Sequence, residues 1–165
     1  MGTALAYLVR DFEAAIAAID RALMLNPNSA LAYGNSGLIR AWTGDWHTSI
    51  DHFQREIRLS PLDPGRGYTA VGLCCALLAT GRPEEALAWA HKACQAMPTF
   101  LGGLRALIVA LVELGRFDEA RAVGQRLLAL DPKQTVTVIA QQNAYQDPLF
   151  REKYHRAMRT AGIPE

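Results

Sequence analysis

Residues Leu101 to Pro132 read LGGLRALIVALVELGRFDEARAVGQRLLALDP. Apolar residues recur at helical spacing until Gly115-Arg116-Phe117 interrupts them. Asp118-Glu119 then open a second run, and Asp131-Pro132 closes it. Gly stops a helix because it accepts a positive φ without steric cost. Acidic residues suit a first turn, where the helix dipole is positive. A proline pushes the residue before it out of the α region. The stretch therefore predicts two short helices joined by a tight turn. Such a pair cannot bury its apolar face alone and must stack on similar units.

The same pattern recurs upstream. Pro27, Pro61, Pro98 and Pro132 each end a helical run, at intervals of 34, 37 and 34 residues. The longer interval is taken up by the connection Leu62-Asp63-Pro64-Gly65-Arg66-Gly67. Ahead of each proline stands a turn: Arg10-Asp11-Phe12, Gly44-Asp45-Trp46, Gly81-Arg82-Pro83 and Gly115-Arg116-Phe117. After each turn, small or apolar residues share one helix face: Ala15, Ile19 and Ala22; Ser49 and Phe53; Ala86, Ala90 and Ala93; Ala120, Gly124 and Leu127. Spacings of three and four place them in one stripe, and small side chains allow close approach.

With these residues the chain resembles a tetratricopeptide repeat protein. Tyr33, Gly37, Phe53 and Pro61 match the family pattern in one unit. Leu73, Leu77, Ala86, Ala93 and Pro98 match in the next, and Leu107, Leu111, Ala120 and Pro132 in the last. Arg40 stands in place of an aromatic, Glu56 in place of a small residue, and Arg10 in place of the turn Gly. The resemblance implies an all-α fold, an α-solenoid of antiparallel helix pairs with about three and a half repeats. The expected division is an array over 1–132 (a partial repeat 1–27, then 28–61, 62–98 and 99–132), followed by 133–165. This last segment comprises Gln134 to Gln142, an irregular run or a short helix, and a capping helix from Asp147-Pro148 to about Ala161. Phe150, Tyr154, Ala157, Met158 and Ala161 lie on the capping helix's apolar face. Only Gly2 to Val9 remain for the leading helix of the first unit. That is too short to stand without packing, so a longer parent protein, or a molecule covering this end, is expected. The C-terminal end, with Tyr145-Gln146-Asp147-Pro148-Leu149-Phe150-Arg151, is also similar to repeat modules that follow bacterial class III nucleotide cyclase or winged-helix domains.

Bulk properties exclude several classes. Half of the 165 residues are hydrophobic and the net charge is +1. The chain is therefore expected to fold, with no global field to draw it to nucleic acid or an anionic membrane. Apolar runs break well before 18 residues, so no membrane span is predicted. Cys74, Cys75 and Cys94 form neither a disulfide framework nor a zinc pattern. With no basic, then apolar, leader at the N-terminus, a cytoplasmic location is expected.

Chemistry is sparse. Gly65-Arg66-Gly67-Tyr68-Thr69-Ala70 fits a dinucleotide fingerprint formally, but it follows a Pro-rich loop rather than a strand and reads as an inter-repeat connection. His47, His52, His91 and His155 lack metal-ligand spacing, and no nucleophile–base pair is evident. The basic residues Arg151, Lys153, Arg156 and Arg159 of the last helix read as a solvated face. No catalytic, cofactor or metal site is expected, and the chain is read as a non-enzyme.

The resemblance points instead to a concave groove lined by the leading helices. Helix phase assigns it Leu31, Gly34, Asn35, Leu38 and Trp42, then Tyr68, Val71, Cys75 and Leu78, then Arg105, Val109, Val112 and Glu113. Asn35, Arg105 and Glu113 would set the register of a protein or peptide partner, with Trp42 and Tyr68 as anchors. The alternative is a groove filled by the chain itself, through Val136, Val138, Ile139 and Tyr145. The second functional expectation is a regulatory or dimerising module of a bacterial signalling cyclase or transcription regulator, with the incomplete first unit as the homodimer contact.

Overall fold

The computed structural model describes residues 11–165, and these residues form helices and loops. The expected leading helix at Gly2 to Val9, and Arg10, lie outside the described residues. In chain order the helices are α1 (Phe12–Leu25), α2 (Ala30–Thr43), α3 (Trp46–Leu59), α4 (Arg66–Ala79), α5 (Pro83–Ala96), α6 (Leu101–Glu113), α7 (Phe117–Leu130), α8 (Val136–Gln142) and α9 (Pro148–Thr160).

Local chemistry fixes the boundaries. Asp11, Ser29 and Asp45 cap α1, α2 and α3, accepting from the backbone N–H of Ala14, Ala32 and Thr48. Such caps satisfy donors that have no partner inside the helix. α5 and α7 open without a side-chain cap. Their first turns instead carry Glu84-Glu85 and Asp118-Glu119, and Arg82 and Arg116 pair with Glu85 and Glu119 at 2.7 and 2.6 Å. Gly44, Gly81 and Gly115, at the three hairpin turns, have φ of 85°, 75° and 72°. An L side chain rarely adopts that backbone.

α2 packs on α3, α4 on α5 and α6 on α7, giving three antiparallel pairs. α2 also touches α4, and α4 touches α6. The leading helices thus pack side by side as an inner layer, with the trailing helices outside. The small-residue stripes form the seams: Ala15, Ser49, Phe53, Ala86, Ala90, Ala93, Ala120 and Leu127 are buried. Ser49 Oγ donates to the Gly37 carbonyl at 2.7 Å, so its hydroxyl is satisfied. Arg40 takes a polar role where the repeat pattern has an aromatic. It pairs with Asp20 of α1 at 2.8 Å and with Asp45 at 2.9 Å, tying three elements together.

The last segment does not simply cap the array. α9 packs on α6, α7 and α8 through buried Phe150, Tyr154, Ala157 and Met158. It starts beside the turn at Gly44 and Trp46, passes the end of α4 and the end of α6, and finishes with Ala161 against Gly124 of α7. The tail closes the loop, as Val136 N–H donates to the Pro164 carbonyl at 2.7 Å. Residues 134–164 are thus a strap laid back over the leading helices.

Candidate functional site

The groove follows from this packing. The inner layer exposes one side of α2, α4 and α6, and the strap covers part of it. Two adjoining hollows remain. The first, about 310 Å³, lies between α2, α3 and α4, lined by Leu31, Gly34, Asn35, Leu38, Phe53, Glu56, Asp63, Gly65, Tyr68 and Thr69. The second, about 360 Å³, is shared by α2, α4, α6 and the strap and includes Leu38, Trp42, Tyr68, Val71, Phe100, Arg105, Gln142, Tyr145 and Tyr154. Leu38 and Tyr68 border both, so the hollows are continuous.

The predicted residues divide into three sets. Asn35, Leu38, Tyr68, Val71 and Arg105 line the hollows. Tyr68 is 58% exposed and Leu31, its neighbour across the mouth, 75%. Tyr68 stands edge-on to Phe100, with centroids 4.8 Å apart, which fixes the ring at the rim. Arg105 donates to Gln142 Oε1 at 3.2 Å and to the Leu101 carbonyl at 3.4 Å. Trp42 borders the second hollow but is only 8% exposed, packed among Ala15, Ile39 and Ala144. It serves the core as well as the wall. Val109 is 0% exposed and sits in the core, not on the groove. Helix phase puts it on the open side of α6, but it packs into the core cluster, as do Cys75 and Leu78 of α4, each 1% exposed. Glu113 is under the strap: it lies 2.9 Å from Lys153 Nζ and 3.1 Å from Arg156 Nη2.

The strap decides how much groove is left. Ile139 and Val136 are buried, Tyr145 packs against the core, and Gln146 N–H donates to the Trp42 carbonyl at 2.7 Å. The far half is therefore partly filled by the chain itself, through Val136, Ile139 and Tyr145 but not the half-buried Val138, while the near half from Leu31 to Tyr68 stays open. Three cations of α9, Lys153, Arg156 and Arg159, are engaged as well. Lys153 donates to the Leu78 carbonyl at 3.0 Å, and Arg159 pairs with Glu165 at 2.9 Å. Helix phase did not find the lining residues Phe53, Glu56, Asp63 and Phe100. For Glu56 the available signal was its place where the repeat pattern has a small residue.

Cys74 and Cys75 offer no reactive site. Burial pushes the Cys75 thiol up to about 11, and Cys74 is raised too, by burial first. The nucleophilic form is the thiolate, so both are poor nucleophiles. His52 Nδ1 lies 2.9 Å from Ser36 Oγ, but Ser36 is buried between helices and no substrate can reach it. Among the described residues, no group of His, Cys, Asp and Glu is placed to hold a metal ion, and no helix is long and apolar enough to cross a membrane.

Tetratricopeptide repeat models match residues 3–64 and 77–138. The Protein STIP1 homolog of Dictyostelium discoideum is 30% identical over 107 residues, which is 65% of this chain. The chain spans only 18% of that relative's length. Among solved structures, YrrB, a tetratricopeptide repeat protein with an unusual peptide-binding site, superposes with a TM-score of 0.66 at 22% identity, over 96% of this chain and 80% of its own. MamA superposes with a TM-score of 0.69 at 16% identity, over 94% of this chain and 90% of its own. These comparisons give no support to the likeness of the C-terminal end to cyclase-linked or winged-helix-linked modules. Tetratricopeptide repeats are recognised in both halves of the chain, and it folds as a tetratricopeptide-repeat solenoid.

Proposed function

We propose that this chain is a non-catalytic interaction scaffold that holds a peptide or helix of a partner protein in the open half of its groove. The observation that carries this reading is the continuous apolar surface at the mouth, where Leu31 and Tyr68 stand exposed above two adjoining hollows. Exposed apolar surface of this kind marks interaction sites. The repeats are taken as 28–61, 62–98 and 99–132, with 133–165 as the segment that closes the far end. Asn35, Leu38, Tyr68, Val71 and Arg105 are the proposed contacts, and Trp42 supports the floor from below. The peptide-binding site of YrrB and the likeness to the STIP1 homolog agree with a binding role. Three unpaired thiols agree with a reducing, cytoplasmic setting.

The test is affinity capture with the intact chain and with the variants Leu31→Asp and Tyr68→Ala. Both residues are exposed, so helicity by circular dichroism should be unchanged. Partners recovered by the parent and lost by both variants support the groove. Partners retained by both variants place the contact elsewhere. Trp42→Ala is not a clean probe, because truncating a buried Trp costs about 3–5 kcal/mol of stability.

A further inference from the structure

The open half of the groove contains a charge that apolar binding does not explain. Glu56 projects inward from α3 to line the first hollow. Its carboxylate lies directly over Gly34, where an added Cβ would make it shift. Oε2 is shielded from solvent and has no hydrogen-bond partner. Burial pushes this carboxyl above its ordinary value, a hydrogen bond with Thr69 opposes the shift, and the nearby Asp63 carboxylate adds to it. Among the described residues, no cationic side chain lines the hollow, and neither acid takes part in an ion pair. A desolvated carboxylate without a counter-charge works against the fold. Perturbed carboxyl groups in clefts cluster at functional sites.

We propose that this hollow is a socket for a lysine or arginine side chain of the bound segment. The cation meets Glu56 and Asp63. Its aliphatic stem lies against Leu38 and the Tyr68 ring, as long basic side chains do on apolar surface. Leu38 and Tyr68 also border the second hollow, so an apolar residue beside the basic one in the partner drops onto Val71. The occupant is thus an extended protein segment with a basic residue adjoining an apolar one, selected by charge complementarity. This inference rests on the groove-binding function proposed above.

The experiment pans a displayed library of random short peptides against the intact chain, and in parallel against Glu56→Gln, Asp63→Asn, Leu31→Asp and Tyr68→Ala. Enriched peptides carry Lys or Arg next to an apolar residue. Glu56→Gln keeps the shape and removes the charge. It should lose the basic preference and weaken a selected peptide on the order of tenfold, the scale of one charged hydrogen bond. Peptides that depend on Leu31 and Tyr68 yet show no basic preference, or that bind Glu56→Gln as tightly, overturn the socket and leave the groove standing. An unenriched library, or peptides indifferent to Leu31→Asp and Tyr68→Ala, overturns both. Circular dichroism of each variant separates loss of binding from loss of fold. Should Glu56→Gln misfold, Asp63→Asn, in the connection between α3 and α4, carries the same comparison.

Discussion

The indole N–H of Trp46 donates to the Asp147 carboxylate at 3.0 Å, joining residues 101 positions apart. The same carboxylate caps α9, accepting from the Leu149 and Phe150 N–H groups at 2.9 and 3.1 Å. Tyr145 and Phe150 flank the indole, with centroids 5.8 and 4.9 Å away. This contact fixes where the strap turns back over the groove, and with it the boundary between the filled and open halves. Asp147→Ala removes both the cap and the indole's acceptor, for a loss of about 2 kcal/mol. Trp46→Phe removes the bond and part of the ring packing against Tyr145 and Phe150, for about 1–2 kcal/mol. Urea midpoints of both variants and the double variant form a cycle. Strictly additive losses would show that the bond carries no energy.

The same residue sets an acid response. Burial raises the Asp147 carboxyl, but the bonds from Trp46, Phe150 and Leu149 outweigh it and hold the group below its ordinary 3.8. A carboxyl depressed in the folded state contributes stability that is present above 3.8 and is lost as pH falls through the folded value. The stability gap between the parent and Asp147→Asn should therefore be constant near neutral pH and shrink below 3.8. A gap that stays constant through the acid range contradicts this origin.

Part of this arrangement was legible in the sequence and part was not. The turn glycines and the Ala stripes announce themselves because each repeat solves the same packing problem, so weak signals add in register. The apolar face of α9 is legible for a similar reason: Phe150, Tyr154, Ala157 and Met158 hold helical spacing, and all are buried. Where that face lands is not. Its destination depends on contacts with Trp46, Leu78 and Gly124, far away in sequence and in no periodic pattern. Val109 went astray for a related reason. Phase alone gives the side of α6 it occupies, and not what packs against that side.

The far anchor of the strap is Gly124. A Cβ there would overlap the Ala161 carbonyl oxygen, which is backbone and has little room to yield. In an isolated helix Gly→Ala stabilises by about 1 kcal/mol. Here overpacking of about 1–3 kcal/mol opposes it. Gly124→Ala should therefore lower the urea midpoint and raise hydrogen exchange in α9 more than in α2. A variant more stable than the parent would show that Ala161 shifts freely.

Glu56 should weaken the fold that carries it. Its carboxyl is raised above its ordinary 4.5, with burial as the largest cause. For an acid raised in the folded state the protonated form is favoured there. The destabilisation is absent below 4.5 and grows as pH rises through the folded value. Glu56→Gln removes the charge at nearly constant shape. Its Tm should exceed the parent's at neutral pH, and the difference should vanish as pH approaches 4.5. Adding a selected basic peptide should reverse the order, since the ligand stabilises only the protein that binds it. A variant no more stable than the parent at neutral pH would mean that Thr69 already satisfies the carboxylate, leaving Glu56 no electrostatic deficit for a partner's cation to fill.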